Sequence, residues 1–311
     1  MGAILPITLP IFACIALGYG AVRQGLFAPA DMRVLGKFVL NIGLPALLFS
    51  AVGRADVTAV LNPVYMGVYL GGAALTGALI WAATRAQGVG PARRAIAVMG
   101  AVSPNSGYIG YPMMLLAFPH LAGQVLAMNM LVENFVILPA CFVMLELSRA
   151  GPETSALDSL RRALWGVLKR PMIIALLAGL AFSLTGLTLP AAAERFLGLI
   201  AGSTGALALV VIGGALVGLP TAGNRLLAGQ IVLGKLIIQP AMTALCLLLL
   251  GWAVLPPDLL AALVLSAAVP MISIYAVLAQ DYGHEGLAAI SLLGAVVASF
   301  VTLSVLLAVL L

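Results

Sequence analysis

Ser103-Pro104-Asn105-Ser106-Gly107-Tyr108-Ile109-Gly110-Tyr111-Pro112 stands inside an apolar run covering about residues 94–117. Two prolines, two glycines and an asparagine fall where a continuous helix would lose hydrogen bonds and gain clashes with the preceding turn. Backbone groups released by such a break cannot face hydrocarbon, so they must be buried in protein or line a wet cavity. Proline kinks stabilised by neighbouring helices, with glycine for close packing, are the competing reading. A second interruption of the same kind is Ala267-Ala268-Val269-Pro270-Met271-Ile272-Ser273-Ile274-Tyr275, where Pro270 falls opposite Pro104 in the other half of the chain.

The surrounding composition makes these breaks membrane features. Of 311 residues, 63% are hydrophobic and 8% charged, against roughly 25% charged in soluble domains. Apolar runs recur at the length of about 20 residues that crosses a hydrocarbon core as a helix. They lack the polar/apolar alternation of a membrane β-barrel. No basic residue precedes Arg23, so the first run reads as a retained span and not a cleaved signal. Cys14, Cys141 and Cys246 lie inside predicted spans without the close spacing of a disulfide or metal cluster, and read as packing residues. No cofactor is implied. The net charge of +5 comes from arginines at span ends, which implies anionic lipid as partner and not nucleic acid.

Ten spans are predicted, at about 3–22, 35–53, 63–84, 94–117, 122–146, 171–186, 196–217, 226–252, 259–280 and 286–310. With both termini outside, twelve of the fifteen basic residues fall in inner connections, only Arg54 and Arg195 fall opposite, and Lys235 lies within a span. The positive-inside rule therefore places both termini on the periplasmic side of an inner membrane. The longest connection, about 147–170, divides the chain. Within it, Ser155 and Asp158 resemble a capping box, and Leu157, Leu160, Leu164, Trp165 and Leu168 opposite Arg161, Arg162 and Lys169 predict a basic amphipathic helix at the cytoplasmic interface.

At an offset of 161, Pro10, Gly18, Gly25, Leu26, Pro29, Ala30 and Gly53 meet Pro171, Gly179, Gly186, Leu187, Pro190, Ala191 and Gly214. Matched helix breakers suggest repeated backbone geometry. Five spans separate equivalent points, so the second copy enters the membrane from the opposite side. The predicted organisation is a five-helix repeat at 1–149, an amphipathic linker at 150–169 and a five-helix repeat at 170–311. Inverted repeats place substrate sites near the bilayer midplane, at discontinuous helices in corresponding positions.

Three segments resemble the auxin efflux carrier family, the PIN-like carriers and their bacterial malate/malonate-permease relatives. They are Asn41-Ile42-Gly43-Leu44-Pro45-Ala46-Leu47-Leu48-Phe49, the Asn105–Pro112 stretch, and Pro270 through Leu278-Ala279-Gln280-Asp281-Tyr282-Gly283. The resemblance implies an all-α fold of the bile-acid-transporter and sodium/proton-antiporter type, with broken helices 4 and 9 crossing. It also implies a scaffold of spans 1, 2, 6 and 7, through which a homodimer could form, and a moving transport unit of spans 3–5 and 8–10. The activity implied is elevator-type transport of small organic anions such as indole acetate or small carboxylates. The crossover asparagine carries over as Asn105 and the prolines as Pro104 and Pro270. A second asparagine of plant members is replaced by Met271, Ile272 and Ser273, and their long central loop is missing.

The residues themselves suggest how an anion could be held. Half-helix N-termini offer oriented donors without a full buried charge. Asn105, with Ser106 and Gly107 beside it, lies where such ends should meet, and Ser273 or Tyr275 could answer from the other half. Lys235, with Gln230 and Gln239 nearby, is an intramembrane cation suited to counter-charge or coupling. Glu133, followed by Asn134, could pair with it, serve structure or take a proton. Asn41 is expected to bond the nearby break at Gly43–Pro45. An intramembrane protease would need a serine–histidine or aspartate pair within the spans. His120, His284 and the aspartates lie outside the apolar centres, so no enzyme is expected. An anion channel or membrane sensor on the same fold is the remaining alternative.

Overall fold

The computed structural model describes residues 5–53, 61–149, 155–219 and 224–310. Residues 3 and 4 of the first predicted span, Arg54 and Asp56 after the second, and the first five linker residues, 150–154, lie outside the described residues. Among the described residues the chain is all-helical. Its helices are α1 (Leu5–Arg23), α2 (Pro29–Gly53), α3 (Pro63–Ala86), α4 (Pro91–Val102), α5 (Tyr111–Ala117, preceded by a turn at Ser106–Gly110), α6 (Ala122–Leu147), α7 (Ala156–Leu168), α8 (Pro171–Leu184), α9 (Ala191–Ala215), α10 (Arg225–Leu250), α11 (Pro257–Ala268), α12 (Tyr275–Gln280) and α13 (Glu285–Leu310). Proline opens α2, α3, α4, α8 and α11, the position where its missing N–H has no intrahelical partner to lose.

Seven helices, α1, α2, α3, α6, α9, α10 and α13, are long and apolar enough to cross a membrane unaided, and an eighth crossing follows if α7 and α8, bent by 70° at their junction, act as one. The chain is thus a multi-pass membrane protein. The shortfall from ten predicted spans has a local cause. The fourth is divided between α4 and α5 and the ninth between α11 and α12, while α8 has only 14 residues.

Four helices carry a widened π-helical turn, at Val39–Gly43, Ser106–Gly110, Glu133–Ile137 and Gly234–Ile238. Each ends two residues before a proline: Pro45, Pro112, Pro139 and Pro240. A proline ring collides with the carbonyl four residues back in an α-helix, and the wider turn displaces that carbonyl. Each turn also holds an intramembrane polar residue, a recurrent association at functional sites.

The chain clusters into two compact units. The first comprises Met1–Pro63, Ser106–Met130 and Leu168–Gly218. In it α1 packs along α9 and α8 along α2. Contact is backbone to backbone: a Cβ added to Gly18 would stand 2.0 Å from the Val210 carbonyl oxygen, and one on Gly213 would stand 1.8 Å from that of Ile15. Gly179 of α8 closes on Phe49 of α2 in the same manner, with a Cβ at 3.2 Å from its Cα. Gly25 and Gly186, matched at the 161-residue offset, both take positive φ, 78° and 67°, just past the ends of α1 and α8. Asn41 donates to the Lys37 carbonyl one turn back at 2.8 Å, upstream of the break where its bond was expected.

The second unit comprises Val64–Asn105, Leu131–Val167 and Leu219–Leu311. Neither unit is a sequence half. Here α10 packs on α4, α11 and α13, and Gly72 of α3 meets Thr243 of α10 with no room for a Cβ. On α7, Ser155 Oγ accepts the Asp158 N–H at 3.4 Å, and Arg162 pairs with Glu146 at 2.9 Å. Leu157 and Trp165 remain exposed.

Candidate functional site

The breaks at Pro104 and Pro270 meet inside the second unit. Pro104 and Met271 form an antiparallel bridge, in which the Asn105 N–H donates to the Pro270 carbonyl at 2.8 Å and the Ile272 N–H to the Ser103 carbonyl at 3.0 Å. Both prolines stand where no N–H is called on: Pro104 at the non-hydrogen-bonded centre, Pro270 as acceptor. Two unwound segments thereby satisfy one another's backbone away from water. Ser103, Met271 and Asn105 are buried.

Asn105 Nδ2 donates to Ser273 Oγ at 2.7 Å, so these two predicted residues come together across 168 positions of sequence. Tyr275 is placed differently. It is fully buried, its hydroxyl donates to the Ile96 carbonyl at 2.9 Å, and it fills the space that Gly100 leaves open; a bond to substrate would have to displace that one. In the first unit, buried Ser106 accepts from Asn129 Nδ2 at 3.5 Å, and Gly107 packs against Leu44. The half-helix expected after Pro270 forms only from Tyr275 and runs six residues, so it contributes little macrodipole. The fourth span's second half, from Ser106 to Ala117, is the longer one.

The carboxyl ends of the two first halves are served from α10. Lys235, fully buried, donates to the Ala267 carbonyl at 2.6 Å and to Gln239 Oε1 one turn on. Gln239 Nε2 in turn donates to the Val102 carbonyl at 3.4 Å. Ala267 and Val102 lie at the last turns of α11 and α4, where unpaired carbonyls carry the negative end of the helix dipole. One ammonium and one amide on a single helix face therefore serve both interrupted spans. Glu133 accepts the Tyr69 hydroxyl at 2.7 Å; Tyr69 stacks on Tyr65, whose hydroxyl donates to Ser266 Oγ at 3.3 Å.

Gln239 is marked by its spacing from Lys235, whereas Tyr69 and Asn129 do not stand out in an apolar sequence read for charges and breaks. A signal was present in the proline that follows each of three polar turns. Pro139 and Pro240 trail Glu133 and Lys235 by six and five residues, and Pro112 trails Ser106 by six.

The chain matches a family described as "Membrane transport protein" over residues 4–307. A protein of Rhizobium meliloti named "Putative malonate transporter" is 28% identical over 292 residues, which is 91% of this chain and 88% of the relative. The "Uncharacterized transporter YfdV" of Escherichia coli K12 is 27% identical over 277 residues, 84% of this chain and 83% of its own. Broken apolar helices, a paired crossover and similarity along nearly the whole length lead to one conclusion: the chain belongs to the membrane transport protein family of auxin efflux carriers.

Proposed function

We propose that the protein is a secondary carrier of small organic anions, with carboxylates of the malonate or malate type as its substrate class. The observation that carries this reading is the mutual pairing of Ser103–Asn105 with Pro270–Ile272, which holds Asn105 and Ser273 together in the interior of the second unit. Asn105 and Ser273 supply uncharged donors within the second unit, flanked by Pro104, Pro270 and Tyr275. Lys235 is the buried amine assigned to counter-charge or coupling, and Glu133 is the buried acid of the same unit. The malonate assignment of a relative that covers most of the chain agrees with that chemistry.

The broader architecture is ten spans in two inverted five-helix repeats, counting α4 with α5 and α11 with α12. The exchanged contacts of α1 with α9 and α8 with α2 support it, because spans one and six, and two and seven, trade places under the repeat. Spans 1, 2, 6 and 7 then act as scaffold, and spans 3–5 and 8–10 as the moving body of an elevator cycle. The distribution of arginines favours an inner membrane with both termini periplasmic.

Counterflow in proteoliposomes tests the reading. Vesicles preloaded with unlabelled malonate should accelerate uptake of labelled malonate, and competition by other mono- and dicarboxylates should rank the substrates. Uptake without trans-stimulation would replace the carrier with a channel. Absence of uptake for every carboxylate tried would sink the substrate class.

A further inference from the structure

We propose that Trp81, Arg85 and Arg94 form a binding site for the phosphate of an anionic phospholipid. The guanidinium carbons of Arg85 and Arg94 lie 5.1 and 5.5 Å from the centroid of the same indole. Two like charges on one ring repel, and among the described residues no carboxylate forms an ion pair with either of them. Arg94 is held in place by donation from Nη2 to the Val89 carbonyl at 2.8 Å, while its buried Nε has no partner. The cluster is thus a double cation on one ring, with Arg94 anchored and Arg85 exposed. A phosphodiester, which accepts from guanidinium groups in paired fashion, is the anion that fits such donors.

The location selects a lipid over a soluble phosphate. Trp81 is 40% exposed and sits five residues before the end of α3 at Ala86, the depth at which indole rings occupy the headgroup layer. Ala74, Ala78, Trp81 and Arg85 share one exposed face of α3 at helical spacing. The two alanines leave a shallow lane in which an acyl chain can lie below the bound phosphate.

Native mass spectrometry of the purified chain in a neutral detergent tests this with didecanoyl phosphatidylglycerol, didecanoyl phosphatidylcholine and inorganic phosphate as probes. Wild type should retain phosphatidylglycerol in preference to phosphatidylcholine, and equimolar inorganic phosphate should not displace it. Retention should weaken by about tenfold or more in the double variant Arg85→Gln/Arg94→Gln, the scale of losing one charge-assisted contact, and stay unchanged in Arg195→Gln. Should the double variant fail to fold, Arg85→Gln alone changes only an exposed side chain and must still weaken retention. Equal retention by wild type and variant, equal retention of phosphatidylcholine, or displacement by free phosphate overturns the assignment.

Discussion

Replacing Lys235 by methionine separates its two duties, because methionine keeps much of the volume and discards the charge. The ammonium makes two hydrogen bonds, to Ala267 O and Gln239 Oε1. At about 1.5–3 kcal/mol for each bond to a charged group, their loss costs roughly 3–6 kcal/mol gross. Burying an ammonium carries an opposing penalty of several kcal/mol that the variant no longer bears, so the two effects largely offset. The expected result is a folded variant whose thermal midpoint in detergent moves by only a few degrees. Transport should respond far more. A carboxylate brought within about 8 Å of the ammonium gains roughly 2 kcal/mol at an effective dielectric near 20, or about thirtyfold in affinity. Initial rates of malonate uptake, measured at substrate levels below saturation, should fall by at least that factor, and Lys235→Ala should abolish uptake. A loss of uptake far smaller than about thirtyfold in a folded Lys235→Met protein would remove the lysine from the site.

Asn105→Ala deletes the donor to Ser273 and should weaken substrate affinity by about tenfold with about 1 kcal/mol of stability lost, read from uptake KM and from thermal unfolding. Gly213→Ala would drive a Cβ into the Ile15 carbonyl, whereas Gly20→Ala meets nothing within 4 Å. The former should destabilise by about 3 kcal/mol or prevent folding, the latter should be near neutral, and equal unfolding midpoints would contradict the α1–α9 contact. His284, in the connection between α12 and α13, is held below the usual histidine value of 6.5 by burial, with the Arg93 charge adding to the effect and the Gly283 backbone and Glu285 opposing it. The unfolded chain takes up this proton as pH falls through 6.5 while the folded chain resists. The histidine's contribution to stability is therefore intact above that pH and is lost as pH drops toward the folded value. His284→Asn should flatten the acid limb of a plot of unfolding midpoint against pH, and an unaltered limb would assign it to other groups.

The long apolar runs determine helices and a membrane setting by themselves, since the requirement to bond every peptide group internally acts on each run separately. Pro104 and Pro270 likewise announce their breaks locally, because a missing N–H and a ring clash act within one turn. The partners of those breaks were not legible in the same way. Pairing of Ser103 with Ile272, and of Asn105 with Ser273, joins residues more than 160 positions apart and depends on the path of the whole second unit. Lys235 is conspicuous as a buried cation and Gln239 lies one turn on by spacing alone, yet the lysine's use of Ala267 follows from where α11 ends against α10. Tyr275, a candidate donor by position, is spent on Ile96 because the absent side chain of Gly100 admits its ring. Local bonding rules thus decide where this chain is helical and where it must stop. Which freed backbone groups and which polar side chains satisfy one another is decided only by tertiary packing, since hydrogen bonds between distant segments exist only once those segments are brought within reach.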